Sequence, residues 1–103
     1  MEIIFFNNRS EKFFNSINKE FNPRLRRVFR MLREYNYDLG MPLSKSLGGG
    51  LFELRIVGTT HTRFIYTFYN NNIFILHGFV KKTERIANKD IRYAQKQLKM
   101  LLH

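Results

Sequence analysis

Apolar residues fall along this chain in two rhythms, one of period two and one close to the helical period. Ile3, Ile4, Phe5 and Phe6 form a short run closed by Asn7 and Asn8, which predicts a brief strand followed by a turn. Phe13, Phe14, Ile17 and Phe21 then take helical spacing behind Ser10, a residue suited to an N-cap. Asn22 and Pro23 restart the chain as N-cap and first residue of a second helix. In that helix, at about 100° per residue, Leu25, Val28, Phe29, Leu32 and Tyr35 share one arc, and Arg26, Arg27, Arg30 and Arg33 share the opposite one. From Tyr37 to Gly50 the density of Gly, Pro, Ser and Asp predicts a loop, ending in three consecutive glycines that give flexible entry to a strand.

Leu51–Val57, Thr62–Tyr69 and Ile73–Lys81 are rich in β-branched and aromatic residues and predict an antiparallel meander. Its turns fall at Gly58 to His61 and at Asn70 to Asn72, the latter suited to positive φ. After Thr83, Asn88 is placed to cap a last helix that carries Ile91, Ala94, Leu98, Leu101 and Leu102 on one side. The order is therefore β-α-α-β-β-β-α, an α+β chain read as a single domain over residues 1–103.

Charge changes the picture more than size does. Eighteen Lys and Arg against eight Asp and Glu give a formal net charge of +10, which draws in nucleic acid or an acidic protein. The basic arc of the second helix, with Arg26 and Arg30, suits RNA, an acidic partner or a merely solvated face. Eleven phenylalanines and no tryptophan point to a core rich in Phe. The lack of cysteine excludes disulfides and thiolate metal sites. No apolar run nears the roughly 20 residues of a membrane span, and the first residues lack signal-peptide character, so a cytoplasmic location without membrane contact is predicted.

Catalytic chemistry is narrowed in the same way. No His, Asp and Glu cluster has metal-ligand spacing, so neither a metal nor another cofactor is expected. No serine sits in a Gly-x-Ser-x-Gly context, and the triple glycine lacks the Gly-Lys-Ser/Thr of a phosphate loop. What remains are cations and proton-transfer groups on the meander and its flanking loops: Lys45, Glu53, Arg55, Arg63, Tyr66, His77, Lys81, Lys82 and Arg85. RNA carries its own nucleophile in the 2′-hydroxyl, so a base, an acid and phosphate-binding cations suffice to cut it. Arginine suits the phosphate because its planar fork donates two parallel hydrogen bonds. Each group also has a structural role open to it. Arg55 can pair with Glu53 or Glu84, His77 can be a hydrogen-bonded packing residue, and Tyr66 alternates with Phe64 and Phe68 as a core residue would. Strand alternation sends Lys81 and Lys82 to opposite faces.

The ordered combination Gly50-Leu51-Phe52-Glu53-Leu54-Arg55, Thr62-Arg63-Phe64-Ile65-Tyr66 and Leu76-His77-Gly78-Phe79-Val80-Lys81-Lys82-Thr83 resembles the RelE/HigB group of type II toxin–antitoxin toxins, in its phage-derived HigB-type subgroup. The resemblance covers residues 47 to 95. It implies a RelE-like microbial ribonuclease fold, with a curved antiparallel sheet that cradles RNA and helices packed behind it. It implies metal-independent cleavage of mRNA, usually at the ribosome, and so inhibition of translation. The implied partners are mRNA, the ribosome and a small acidic antitoxin, HigA-like and often of helix-turn-helix type. Arg55 matches the arginine of the Glu-Leu-Arg element, Arg63 the strand arginine on the scissile phosphate, and Lys81 and Lys82 the Phe-x-Lys-Lys element. That element usually continues Thr-x-Lys-Thr-Pro, whereas Thr83 is followed here by Glu84, Arg85, Ile86 and Ala87, so Arg85 stands as a replacement for the missing lysine. The general base varies within the family, which leaves His77, Tyr66 and Glu53 as candidates, and Lys45, Arg85, Arg26 and Arg30 as RNA contacts. Two other readings share the residues: a ParE-like toxin that inhibits gyrase, and a non-catalytic module that grips RNA or the ribosome by stacking.

Overall fold

A computed structural model describes residues 1–58 and 61–103. The elements in order are β1 (Ile3–Phe5), α1 (Asn8–Ile17), α2 (Pro23–Tyr35), β2 (Ser44–Gly48), β3 (Leu51–Ile56), β4 (Thr62–Tyr69), β5 (Asn72–Val80) and α3 (Asn88–Leu102), with a 3-10 turn at Asn36–Asp38. They form one five-stranded sheet in the order β1-β5-β4-β3-β2.

The sheet departs from the sequence expectation in two ways. It is mixed rather than antiparallel, because β1 pairs parallel to β5, with Ile3 opposite Ile73 and Phe5 opposite Ile75. The stretch read as a loop also contains β2, which pairs antiparallel with β3 through Ser44 to Leu54, Lys45 to Glu53 and Ser46 to Phe52. Ser-Lys-Ser-Leu-Gly has none of the β-branched or aromatic residues that advertise a strand. Its place is set by partners instead: the Tyr66 and Ser44 hydroxyls share a hydrogen bond, and Arg55 N–H donates to Leu43 C=O at 2.8 Å. The three glycines close the β2–β3 hairpin, Gly48 as the last residue of β2 and Gly49 and Gly50 as its turn, at φ of 84°, 62° and 88°, a backbone that residues with a Cβ rarely adopt. The turn at Asn70 and Asn71 takes positive φ as its sequence predicts, at 54° and 62°. The other turn falls partly on Thr59 and Thr60, outside the described residues.

Helix ends shift by a few residues. Asn7, not Ser10, caps α1: its side-chain oxygen accepts from Ser10 N–H at 2.8 Å, while its amide donates to Leu76 C=O and to Gln97 Oε1. One side chain thereby ties α1, β5 and α3 together, and Ser10 is buried behind it. The helix stops at Ile17, so Phe21 lies outside it, 70% exposed beneath the Arg26 guanidinium. Asn22 caps α2 as its sequence predicts, through Leu25 N–H at 3.1 Å. Leu25, Val28, Phe29 and Leu32 are buried there, whereas Tyr35 at the end of the arc is exposed. For α3 the N-cap is Ala87, and Asn88 is already helical. Leu102 at its far end is exposed.

Alternation along the strands divides the side chains between two faces. The back face, covered by α1 and α2, presents Leu54, Ile56, Phe64, Tyr66, Ile73 and Ile75 to Leu25, Val28, Phe29 and Leu32. Phe14, Phe29 and Phe64 meet there edge-on or tilted, with ring centroids 4.8 to 6.3 Å apart. The front face carries a smaller cluster of Leu51, Ile65, Leu76 and Phe79, which α3 covers through Ala94, Ile91 and Leu98.

Candidate functional site

The part of the front face beyond α3 carries charge. Arg55 and Arg63 are directly opposite one another across β3 and β4, and Glu53 and Ile65 form the next pair along. Lys45 is opposite Glu53 on β2, and Phe79 and His77 are opposite Arg63 and Ile65 on β5. Directly paired residues project to the same side of a sheet, so this register gathers Lys45, Glu53, Arg55, Arg63, Phe79 and His77 on one surface.

Two like charges facing each other across strands would repel, and Glu53 answers that. Its carboxylate, 2% exposed, accepts from Arg55 Nε at 2.8 Å and lies 3.6 Å from Arg63 Nε. Arg63 Nη1 also donates to Thr62 C=O at 3.0 Å, but Arg63 Nε is buried without a hydrogen-bond acceptor. One carboxylate thus serves two guanidiniums, and the cluster keeps a unit positive charge. Burial lowers the Arg63 pKa from its ordinary value; Glu53 opposes the shift and Arg55 adds to it. Arg55 and Arg63 line a groove of about 250 Å3 together with His61.

His61 also lines a neighbouring groove with Lys81, Lys82, Thr83 and Glu84. It therefore stands between the arginine pair and the two lysines, a place that nothing in its turn sequence signals. Lys81 is half-buried and continues the front-face alternation of His77 and Phe79, with its N–H donating to His61 C=O at 2.8 Å. Lys82 is exposed. Both lysines reach a larger cleft of about 680 Å3 between the end of β5 and the start of α3, where Arg9, Lys89, Asp90 and Tyr93 join them. Arg9 from α1 lies over the Tyr93 ring, 4.6 Å from its centre. Sequence reading missed Arg9, Lys89 and Tyr93, because only the fold brings α1 and α3 beside β5.

Other sequence candidates lie elsewhere. Tyr66 points to the back face, 1% exposed and hydrogen-bonded to Ser44, and burial raises its pKa. His77 is on the front face but enclosed: Nε2 donates to Asp90 Oδ1 at 2.7 Å, and Phe79 and Tyr93 pack against the ring. Its Nδ1 is buried without a partner. Desolvation lowers the His77 pKa from 6.5, against the opposing influence of Asp90. Arg85 is exposed and lines none of these three grooves. Arg26 and Arg30 lie on the outer side of α2, behind the sheet. Among the described residues no His, Asp and Glu group is arranged to hold a metal, and no helix is long and apolar enough to cross a membrane.

These features define a small basic α+β protein with a back-packed sheet and a cationic, partly aromatic front face. The chain belongs to the phage-derived Gp49-like protein family (DUF891), whose model matches residues 12–99. No curated protein matches it.

Proposed function

We propose that the chain is the toxin of a type II toxin–antitoxin module and cleaves mRNA at the ribosome. Membership of a phage-derived family and the resemblance to the RelE/HigB group support this reading. The observation that carries it is the direct pairing of Arg55 with Arg63 beside one shared carboxylate on the front face, with His61 linking their groove to the one lined by Lys81 and Lys82.

In this mechanism the guanidiniums of Arg63 and Arg55 bind the scissile phosphate and stabilise the charge that develops on it. Glu53 holds both in place and, lying against the two guanidiniums that bind the phosphate, takes the proton of the 2′-hydroxyl; Tyr66 faces the back, and His77 is tied to Asp90 away from the arginine groove. The 2′-oxygen bonds to phosphorus, the bond to the 5′-oxygen breaks, and Lys81 protonates the leaving oxygen. The products are a 2′,3′-cyclic phosphate and a 5′-hydroxyl end, and the chain needs no metal or other cofactor for these steps. A second reading, RNA binding without cleavage, is favoured by the burial of Glu53 under its two partners.

Translating ribosomes incubated with the protein, followed by primer extension on the mRNA, separate the two. New 5′ ends are expected with the wild type, reduced about 100-fold to 1000-fold in rate by Arg63→Ala. Ribosome association without new ends would establish the non-catalytic reading, and full activity of Arg63→Ala would end the proposed phosphate role.

A further inference from the structure

The basic face of α2 does not join the RNA face, and its surroundings differ in kind. Arg26, Arg30 and Arg33 form one wall of a groove of about 400 Å3 whose floor is Ile3, Phe5, Phe14 and Phe29. None of these guanidiniums takes part in an ion pair among the described residues. β1 borders the groove and ends the sheet. Glu2 C=O accepts from Ile73 N–H at 2.8 Å and Phe6 N–H donates to Ile75 C=O at 3.0 Å. In a parallel ladder alternate residues bond to the neighbouring strand, so the peptide groups of Ile3 and Phe5 face outward from the edge.

We propose that this groove and edge dock an acidic, extended segment of a protein partner. The segment pairs its backbone with Ile3 and Phe5, sets apolar side chains on Phe14 and Phe29, and brings carboxylates to Arg26, Arg30 and Arg33. Charge complementarity selects an acidic partner. The free peptide edge selects polypeptide over RNA, which has no matching ladder of donors and acceptors. The proposal names the antitoxin-facing surface of the toxin reading and rests on that reading only for the partner's identity. Because α2 packs behind the sheet, a partner seated here leaves the arginine pair of the front face uncovered.

The test uses a short fluorescein-labelled peptide in which Glu alternates with Leu and Val, titrated against the full chain by anisotropy. Saturable binding is expected, with no binding of the same peptide carrying Lys for Glu. Arg30→Glu with Arg33→Glu should weaken it about tenfold or more. Arg92→Glu with Lys96→Glu, an equal charge change on exposed positions of α3, should leave it unchanged, and a difference would reduce the effect to net charge. Failure of the wild type to bind would overturn the proposal. So would displacement of the peptide by a short single-stranded RNA that an Arg55→Ala, Arg63→Ala variant still binds as tightly as the wild type. Protein that binds the peptide but cuts no mRNA would remove the nuclease reading and leave this surface standing; the reverse result would do the opposite.

Discussion

The two faces of the sheet are made by the same strands, yet they solve different problems. On the back, Phe64, Tyr66, Leu54 and Ile75 meet helix residues in a continuous core in which the buried hydroxyls of Tyr66 and Ser44 satisfy each other. On the front, the apolar cluster under α3 stops at the charged row of Glu53, Arg55 and Arg63, where three ionised side chains share a few ångströms and one guanidinium nitrogen has no acceptor. Burial of that kind costs stability unless geometry compensates for it, so the back face must supply the surplus that the front face consumes. Strength and chemistry are thus separated by strand parity, reset in β5 by an irregularity at Leu76 that keeps His77 on the front.

The largest test of that contrast is Glu53→Gln. Removing the shared carboxylate charge leaves Arg55 and Arg63 opposed across the ladder with no anion between them, and a loss of about 3 kcal/mol in urea unfolding is expected. Adding Arg63→Leu to the same chain removes one of the opposed charges and should restore a large part of the loss. If Glu53→Gln alone is neutral, the front-face cluster is solvated and not a strained site.

Gly78 probes the other side. It faces back from β5, and a Cβ there would stand 2.5 Å from Phe13 Cδ2 and 2.9 Å from Phe64 Cε1. Phe64 is fully buried and the half-buried Phe13 ring packs against it, so Gly78→Ala should cost about 2 kcal/mol by overpacking. Phe13→Leu in the same background should recover part of it. A lone glycine in a strand signals close approach, yet nothing in the sequence says which ring approaches. The same limit explains what was legible in this chain. Helix α2, the β3–β5 meander and the asparagine turn were readable because periodicity and turn chemistry are local properties. β2 was not, because Ser44 and Lys45 become strand residues only through Tyr66 and Glu53 on neighbouring strands. The arginine pair was visible as two cations in apolar strands, whereas their register, the shared carboxylate and the place of His61 between two grooves are properties of pairing.

The smallest effect concerns the seam where the front face meets α3. Neutral His77 carries its proton on Nε2 and donates it to Asp90, while Nδ1 is enclosed among Phe79 and Tyr93 with no acceptor for a second proton. Desolvation, with a smaller contribution from Arg9, lowers the folded pKa below 6.5; Asp90 pulls the other way without reversing the shift. The unfolded chain therefore binds this proton more readily than the folded one, so the stability His77 provides is complete above about pH 6.5 and is lost as pH falls below it toward the folded pKa. The slope from this one group is at most about 1.4 kcal/mol per pH unit. His77→Gln keeps a donor for Asp90 but cannot titrate, so subtracting its thermal melts from those of the wild type isolates the histidine from the carboxylates. A wild-type melting temperature that falls more steeply than the variant's below that pH is expected. Parallel curves would mean that the ring accepts its second proton without loss, and that the seam is open enough at Nδ1 to serve as part of the proposed RNA face.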